Sequence, residues 1–403
     1  MFKFIQKFIS FFLSFAIIII IALTTFFCLD VFEVIDVPKK YSLINLIYSK
    51  AQVIVPAEPI LDEIKPISED KNKKIIIDEN DDIIYEKIEL PKVESAYSYD
   101  NNKDLEINQN NDNIIYSVDT NVFYYNQLDE YGKIMYADLY NNKEKLKTGT
   151  YVAEFGTTFN ELLHQENGSE ILNNSFQLAV NALIFDNPEL FYIDITKMYL
   201  LTEITTKAFS KTYRVSIGPN DGNYFLDSFY SEELANEAID KVQNVKEKII
   251  EMNFENDYSK IKYVHDYLVD NINYDTSISE SNIYNIYGAL INGKAVCEGY
   301  ARSFKYIMDD FKIPCIIACG IAVNSSGKSE SHALNYVKIG EIWYAIDCTW
   351  DDPVIIGNGT IDDNIRYNYF LNGSEAFFKD HFEDGNIVSN SNFKYPMLCK
   401  TNY

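Results

Sequence analysis

Histidine is scarce in this chain. Only His164, His265, His332 and His381 occur among 403 residues, so imidazole chemistry has few places to reside. Clustered positive charge is missing as well: the formal net charge is −25, and no run of Lys and Arg makes the basic stripe that a phosphate backbone requires. Nucleic acid is excluded as a partner on that ground. The acidity itself speaks to solubility and to repulsion from anionic surfaces, and says nothing about fold. No internal repeat and no phosphate-binding loop is present. No two cysteines have the C-x-x-C spacing of a zinc site with matching ligands, so no metal and no cofactor is expected.

With 47% hydrophobic residues the chain can bury a large core, and its length suits two or three structural units. A short basic start, Met1 to Lys7, precedes the uncharged run Phe8 to Leu29, long enough for one membrane-crossing helix. Bulky Phe27 before Cys28 argues against both signal cleavage and a lipoprotein cysteine. Residues 1–29 are therefore expected to be an uncleaved signal anchor. The partner there is the lipid bilayer, and a single-pass protein of the cell membrane would carry the bulk of its chain outside the cytoplasm. Residues 30–115, punctuated by Pro38, Pro56, Pro59, Pro66 and Pro91 and rich in acidic residues and Asn, suit a tether.

Residues 116–252 suit a smaller α/β portion of unassigned role. Apolar spacing predicts helices over Tyr124–Leu139, over Phe176–Ile184 up to Asp186-Asn187-Pro188, and over Leu234–Ile249; Phe191–Thr205 and Tyr213–Ile217 suit strands. Residues 253–403 carry the chemistry. Asn292-Gly293 is a turn signal, and Val296, Tyr300, Phe304, Ile307 and Met308 follow at helical spacing. Cys297 is then expected in the first turn of a helix, where unpaired N–H groups and the helix dipole favour a thiolate and could hold an oxyanion. A buried core thiol is the plainer alternative.

Two aromatic and β-branched runs, Ser331–Ile339 and Ile342–Asp347, flank Gly340-Glu341, a two-residue hairpin turn. With Ile339 opposite Ile342, counting back sets Leu334 opposite Asp347 and His332 opposite Thr349. His332 and Asp347 then project from one face as diagonal neighbours, within side-chain reach. A register slip of one residue would separate them. Among the other histidines, His164 sits at a helix end, His381 in a late charged segment, and His265 on an apolar face as a satisfied core residue. Cys315 and Cys319 alternate along a strand and suit buried thiols, or a disulfide outside the cell.

The run GKAVCEGYARSF, the strand SHALNYVKI, the segment from Ile342 to Pro353 and the lead-in helix Ile261–Leu268 resemble the transglutaminase-like superfamily, cysteine hydrolases and acyltransferases with a papain-like core. The resemblance implies an α+β fold, with the Cys-bearing helix packed on an antiparallel sheet bearing His and Asp. It also implies Cys297 as nucleophile, His332 as general base and Asp347 as orienting carboxylate. The expected function is an extracytoplasmic cysteine-dependent acyl transfer on peptide or glutamine carboxamide bonds of a protein or peptide substrate, as protease, deamidase or transglutaminase. For the second oxyanion donor Tyr287 and Asn292 are candidates beside the Cys297 N–H. The alternative is a catalytically silent cell-surface module of the same shape that binds protein or cell wall.

Overall fold

The computed structural model describes residues 48–59, 122–207, 210–275, 277, 281–324, 327–352, 363–383 and 393–403. The anchor expected at 1–29 lies outside them, as does most of the 30–115 tether. No helix among the described residues is long and apolar enough to cross a membrane. The chain divides into two units.

The smaller unit draws on residues within 1–54, 154–166 and 201–216. It is built on a four-stranded sheet in the order β1-β3-β4-β2, with β1 at Tyr48–Pro56, β2 at Ala153–Gly156, β3 at Tyr199–Lys207 and β4 at Ser210–Gly218. Strand β1 falls inside the stretch expected to be tether.

The larger unit takes in 55–153, 167–200 and 217–403, so the expected boundary at 252–253 falls within it. Helix α1, Glu130–Asn141, begins later than the apolar spacing suggested, because Asp129 caps it by accepting the Gly132 N–H at 2.7 Å. Asp129 also accepts the Ser175 hydroxyl at 2.6 Å, which ties α1 to α2, Gly168–Asp186. After α2 the chain does not enter a strand at Phe191. Asp194 turns it by accepting from Thr196 N and Oγ1, and the strand starts only at Tyr199. Helix α3 spans Glu232–Ile250 with Ser231 as its cap, and α4 spans Asp257–Asn271 with an Asn256/Ser259 capping box.

Next come a parallel pair, β5 at Asn273–Tyr274 and β6 at Lys294–Ala295, then α5, Cys297–Asp310. Helix α5 lies against an antiparallel sheet ordered β10-β7-β8-β9: β7 at Cys315–Val323, β8 at Ser329–Ile339, β9 at Ile342–Ile346 and β10 at His381–Glu383. Phe304 and Ile307 of α5 are fully buried. Asn335 of β8 stitches helix to sheet, its amide donating to Ala301 O at 2.9 Å and Ile316 O at 3.2 Å. The architecture is α+β, with the Cys-bearing helix on the sheet that bears His332.

Candidate active site

Cys297 owes its position to a sharp local path. A single π-helical turn, Gly288–Asn292, ends at Gly293, whose φ of +64° glycine adopts without strain. Strand β6 pairs with β5, and Val296 in extended conformation caps α5, so Cys297 is the first residue of the helix. Gly299 one half-turn on lets the 281–284 turn approach the helix: a Cβ there would lie 2.5 Å from Ile283 O. The thiol end of α5 is thereby held between that turn and the sheet.

The β8–β9 register is Ile339 opposite Ile342, with Gly340 in the turn at φ +60°. The ladder stops at Asn335–Ile346, and Thr349 is not a strand partner of His332. Asp347 instead folds back on the next turn, its Oδ1 accepting the N–H groups of Thr349 at 2.9 Å and Trp350 at 3.1 Å. The cross-strand neighbour of His332 is Gly320 on β7. The diagonal survives this change: His332 Nε2 lies 2.6 Å from Asp347 Oδ2. A carboxylate only accepts, so Nε2 carries the proton and Nδ1 is the nitrogen left to accept; Cys297 is near enough to this ring to raise it.

All three side chains are buried: Cys297 is 1% exposed, His332 2% and Asp347 1%. Burial works against a charge on His332, but Asp347 and Cys297 outweigh it and raise the imidazole well above its ordinary value. Burial likewise would raise Asp347, yet His332 and His381 hold its carboxyl well below the usual range.

His381 was not singled out by its sequence surroundings, and the structure brings it into the site. Its Nε2 lies 3.2 Å from Asp347 Oδ2, and its Nδ1 2.7 Å from Asp380 Oδ1. Two other residues join the neighbourhood. Tyr274 pairs with Ala295 two residues before the thiol, and its phenol, raised by burial and by Cys297, senses the site. Glu330, two residues before His332 on the same strand face, is raised by burial and offset by His332; its Oε1 is buried without a hydrogen-bond partner. The oxyanion candidates lie in different surroundings. Tyr287 packs on Phe191 and Phe229, Asn292 is exposed, and the Cys297 N–H lies in the first turn of α5.

The remaining candidates are structural. His265 is buried, with Nδ1 3.0 Å from Asp266 Oδ1 and Nε2 3.1 Å from Asp351 Oδ2, the satisfied core residue expected. His164 contacts Asn160 O at 2.7 Å. Cys315, Cys319 and Cys348 are buried free thiols, and Cys399 is also free. Among the described residues, His332, Asp347 and His381 are the group whose ligating atoms, within 4.8 Å of one another, could hold a metal. Those atoms are engaged with one another in the hydrogen bonds above.

Residues 244–348 match the family model described as the transglutaminase-like superfamily. Among solved structures, one described as a TGase is similar at 16% identity over 40% of this chain and 46% of its own, with a TM-score of 0.26. A candidate cysteine protease from Cytophaga hutchinsonii is similar at 15% identity over 38% of this chain and 58% of its own, with a TM-score of 0.21. The match thus spans about half the length of each of those chains. No curated protein matches the sequence.

Proposed function

From the transglutaminase-like domain at residues 244–348, we propose that this chain is a cysteine-dependent acyl-transfer enzyme acting on peptide or glutamine carboxamide bonds. The observation that carries the reading is the His332–Asp347 hydrogen bond of 2.6 Å, on an imidazole that Cys297 lies near enough to raise. His332 takes the thiol proton, and the thiolate attacks the acyl carbonyl. The Cys297 N–H at the start of α5 stabilises the oxyanion, and His332 returns the proton to the leaving amine or ammonia. Asp347 fixes the tautomer and supports the imidazolium. Water then gives hydrolysis or deamidation and an amine gives transamidation, each releasing the thiolate from its thioester. Phe8–Leu29 as a membrane anchor would hold this site outside the cytoplasm.

The burial of Cys297 favours a second reading, a silent binding module, because a substrate must displace whatever covers the thiol. Alkylation of the full-length chain by iodoacetamide, with each cysteine mapped by mass spectrometry, separates the two. The Thr401 N–H lowers the Cys399 thiol, so a Cys399→Ser background removes that competitor. Expected is modification of Cys297 ahead of Cys315, Cys319 and Cys348, whose thiols burial raises, and its loss in His332→Ala. An unreactive Cys297 in the folded chain would establish the silent module.

A further inference from the structure

We propose that His381 is a positioning residue for this site: it shares Asp347 Oδ2 with His332 and so helps to fix the carboxylate that orients the base. The inference rests on the acyl-transfer reading for its kinetic consequence and on geometry alone for the clamp. Asp347 has two oxygens and four donors. Oδ1 takes two backbone N–H groups from the turn that follows, and Oδ2 takes two imidazoles, His332 at 2.6 Å and His381 at 3.2 Å. Without His381 Oδ2 keeps only the His332 donor, and one of the four bonds that hold the carboxylate is lost.

His381 is itself held on every side. Its Nδ1 faces Asp380 Oδ1 at 2.7 Å, and the other oxygen of Asp380 accepts the Tyr369 hydroxyl at 2.7 Å. Phe377 stacks on the ring with centroids 4.7 Å apart, and Trp350 meets it edge-on at 4.5 Å. Strand β10 pairs His381 with Ala322 of β7, and Ala322 in turn pairs with Glu330 of β8, so His381 lies in the sheet row of Glu330, with β7 between it and the strand that carries His332. The charged and titratable groups facing His381 are Asp347, Asp380, His332 and Glu330. Both ring nitrogens face carboxylate oxygens, so the ring donates to both only when each nitrogen bears a proton. The hydrogen-bonded chain Tyr369–Asp380–His381–Asp347–His332 thus runs from the turn at Tyr369 to the imidazole near Cys297.

His381→Phe keeps the aromatic packing and removes both donors. In the full-length chain it is expected to lower kcat by about 10- to 100-fold with KM little changed, since a loosened orienting shell misplaces the base without altering binding. The pH–rate limb belonging to His332 should move with it, and His381→Gln, which can still donate to Asp347, should recover part of the loss. The far-downfield proton of the short His332–Asp347 bond, assigned by its disappearance in His332→Ala, should shift in both variants. Wild-type kcat with an unmoved proton signal in His381→Phe would overturn the proposal. If that variant does not fold, Asp380→Asn is read the same way, and an unmoved signal there overturns it. A wild-type chain without any acyl-transfer activity sinks the functional reading alone, because the proton signal still reports whether His381 clamps Asp347.

Discussion

His332, inside β8, and Asp347, the residue that follows β9, share a 2.6 Å hydrogen bond although neither is the other's strand partner. Asp347 must present an acceptor on both sides to make it. An Asn at 347 keeps its oxygen for the Thr349 and Trp350 N–H groups and turns its NH2 toward two imidazole donors. The ring then flips to the tautomer with its proton on the thiol side. Asp347→Asn is expected to fold and to lose about 10³- to 10⁴-fold in kcat, the scale seen when an orienting Asp becomes Asn in a serine-protease triad. Steady-state kinetics with a peptide or glutamine donor checks it; a loss under tenfold would remove Asp347 from the mechanism.

The same pair sets a pH window for stability. Asp347 is depressed, so its contribution is complete above its unfolded value of about 3.9 and is lost as pH falls toward the lower folded value. His332 is raised, so its contribution is complete below its unfolded value of about 6.5 and is lost as pH rises toward the higher folded value. The pair is therefore worth most between roughly pH 4 and 6.5. Urea midpoints for wild type minus those for the double variant His332→Gln/Asp347→Asn should be largest there and shrink on both sides; a difference that is flat with pH would contradict the coupling.

Gly299 of α5 offers a test of how the thiol is held. Gly→Ala within a helix ordinarily stabilises by about 1 kcal/mol. Here the added methyl would sit 2.5 Å from Ile283 O and 2.8 Å from the Ala295 Cβ, and both are backbone or adjacent to it. The sign should invert: Gly299→Ala is expected to cost about 2–3 kcal/mol, or to shift the start of α5 and lower activity. Thermal or urea unfolding reads the first and kcat the second; a stabilised, fully active variant would show that the turn yields freely.

Much of the site could be read from local pattern. A two-residue turn at Gly340-Glu341 fixes register, and parity then decides which side chains share a face, so His332 and Asp347 follow from counting. The helix start at Cys297 follows from Asn292-Gly293 and the apolar spacing after it. His381 does not follow, because its strand is only three residues long and reaches β7 after an intervening 3-10 turn and a short helix, with no local pattern to announce the pairing. Thr349 was misplaced for a related reason: Asp347 Oδ1 captures the next N–H groups and ends the strand, a side-chain effect that alternation does not encode.

His265 holds a buried ionic contact away from the thiol. Burial opposes its charge, but Asp266 and Asp351 raise it, and burial pushes the Asp351 carboxyl up to about 6 despite His265. Removing the imidazole leaves Asp351, fully buried and accepting only the Tyr369 N–H at 2.9 Å, without its cationic neighbour. His265→Phe is expected to cost about 3–5 kcal/mol at pH 8, where Asp351 would have to be ionised. The cost should differ at pH 5, because the contribution of the raised His265 and the charge on Asp351 both depend on pH. Equal destabilisation at the two pH values would assign the loss to packing against Tyr367 and Phe370 instead.

Asp186 links the segment before the catalytic region to it. Its Oδ1 accepts the Tyr124 N–H at 3.1 Å, and its Oδ2 accepts the Tyr125 N–H at 3.0 Å and the Tyr136 hydroxyl at 3.1 Å; the Tyr124 hydroxyl in turn donates to Ile317 O on β7. Burial pushes Asp186 up to about 7, opposed by Lys305 of α5, whose neighbour Arg302 lies over the Phe185 ring at 5.4 Å. Asp186→Asn replaces an acceptor by an NH2 against one of these donors and is expected to destabilise by about 1–3 kcal/mol. The same contacts predict that residues 253–403 expressed alone will not reach the native fold, since Ile317 O and the buried face of α5 lose their cover. A fragment that unfolds cooperatively at the midpoint of the full-length chain would show instead that residues 122–200 are an independent attachment.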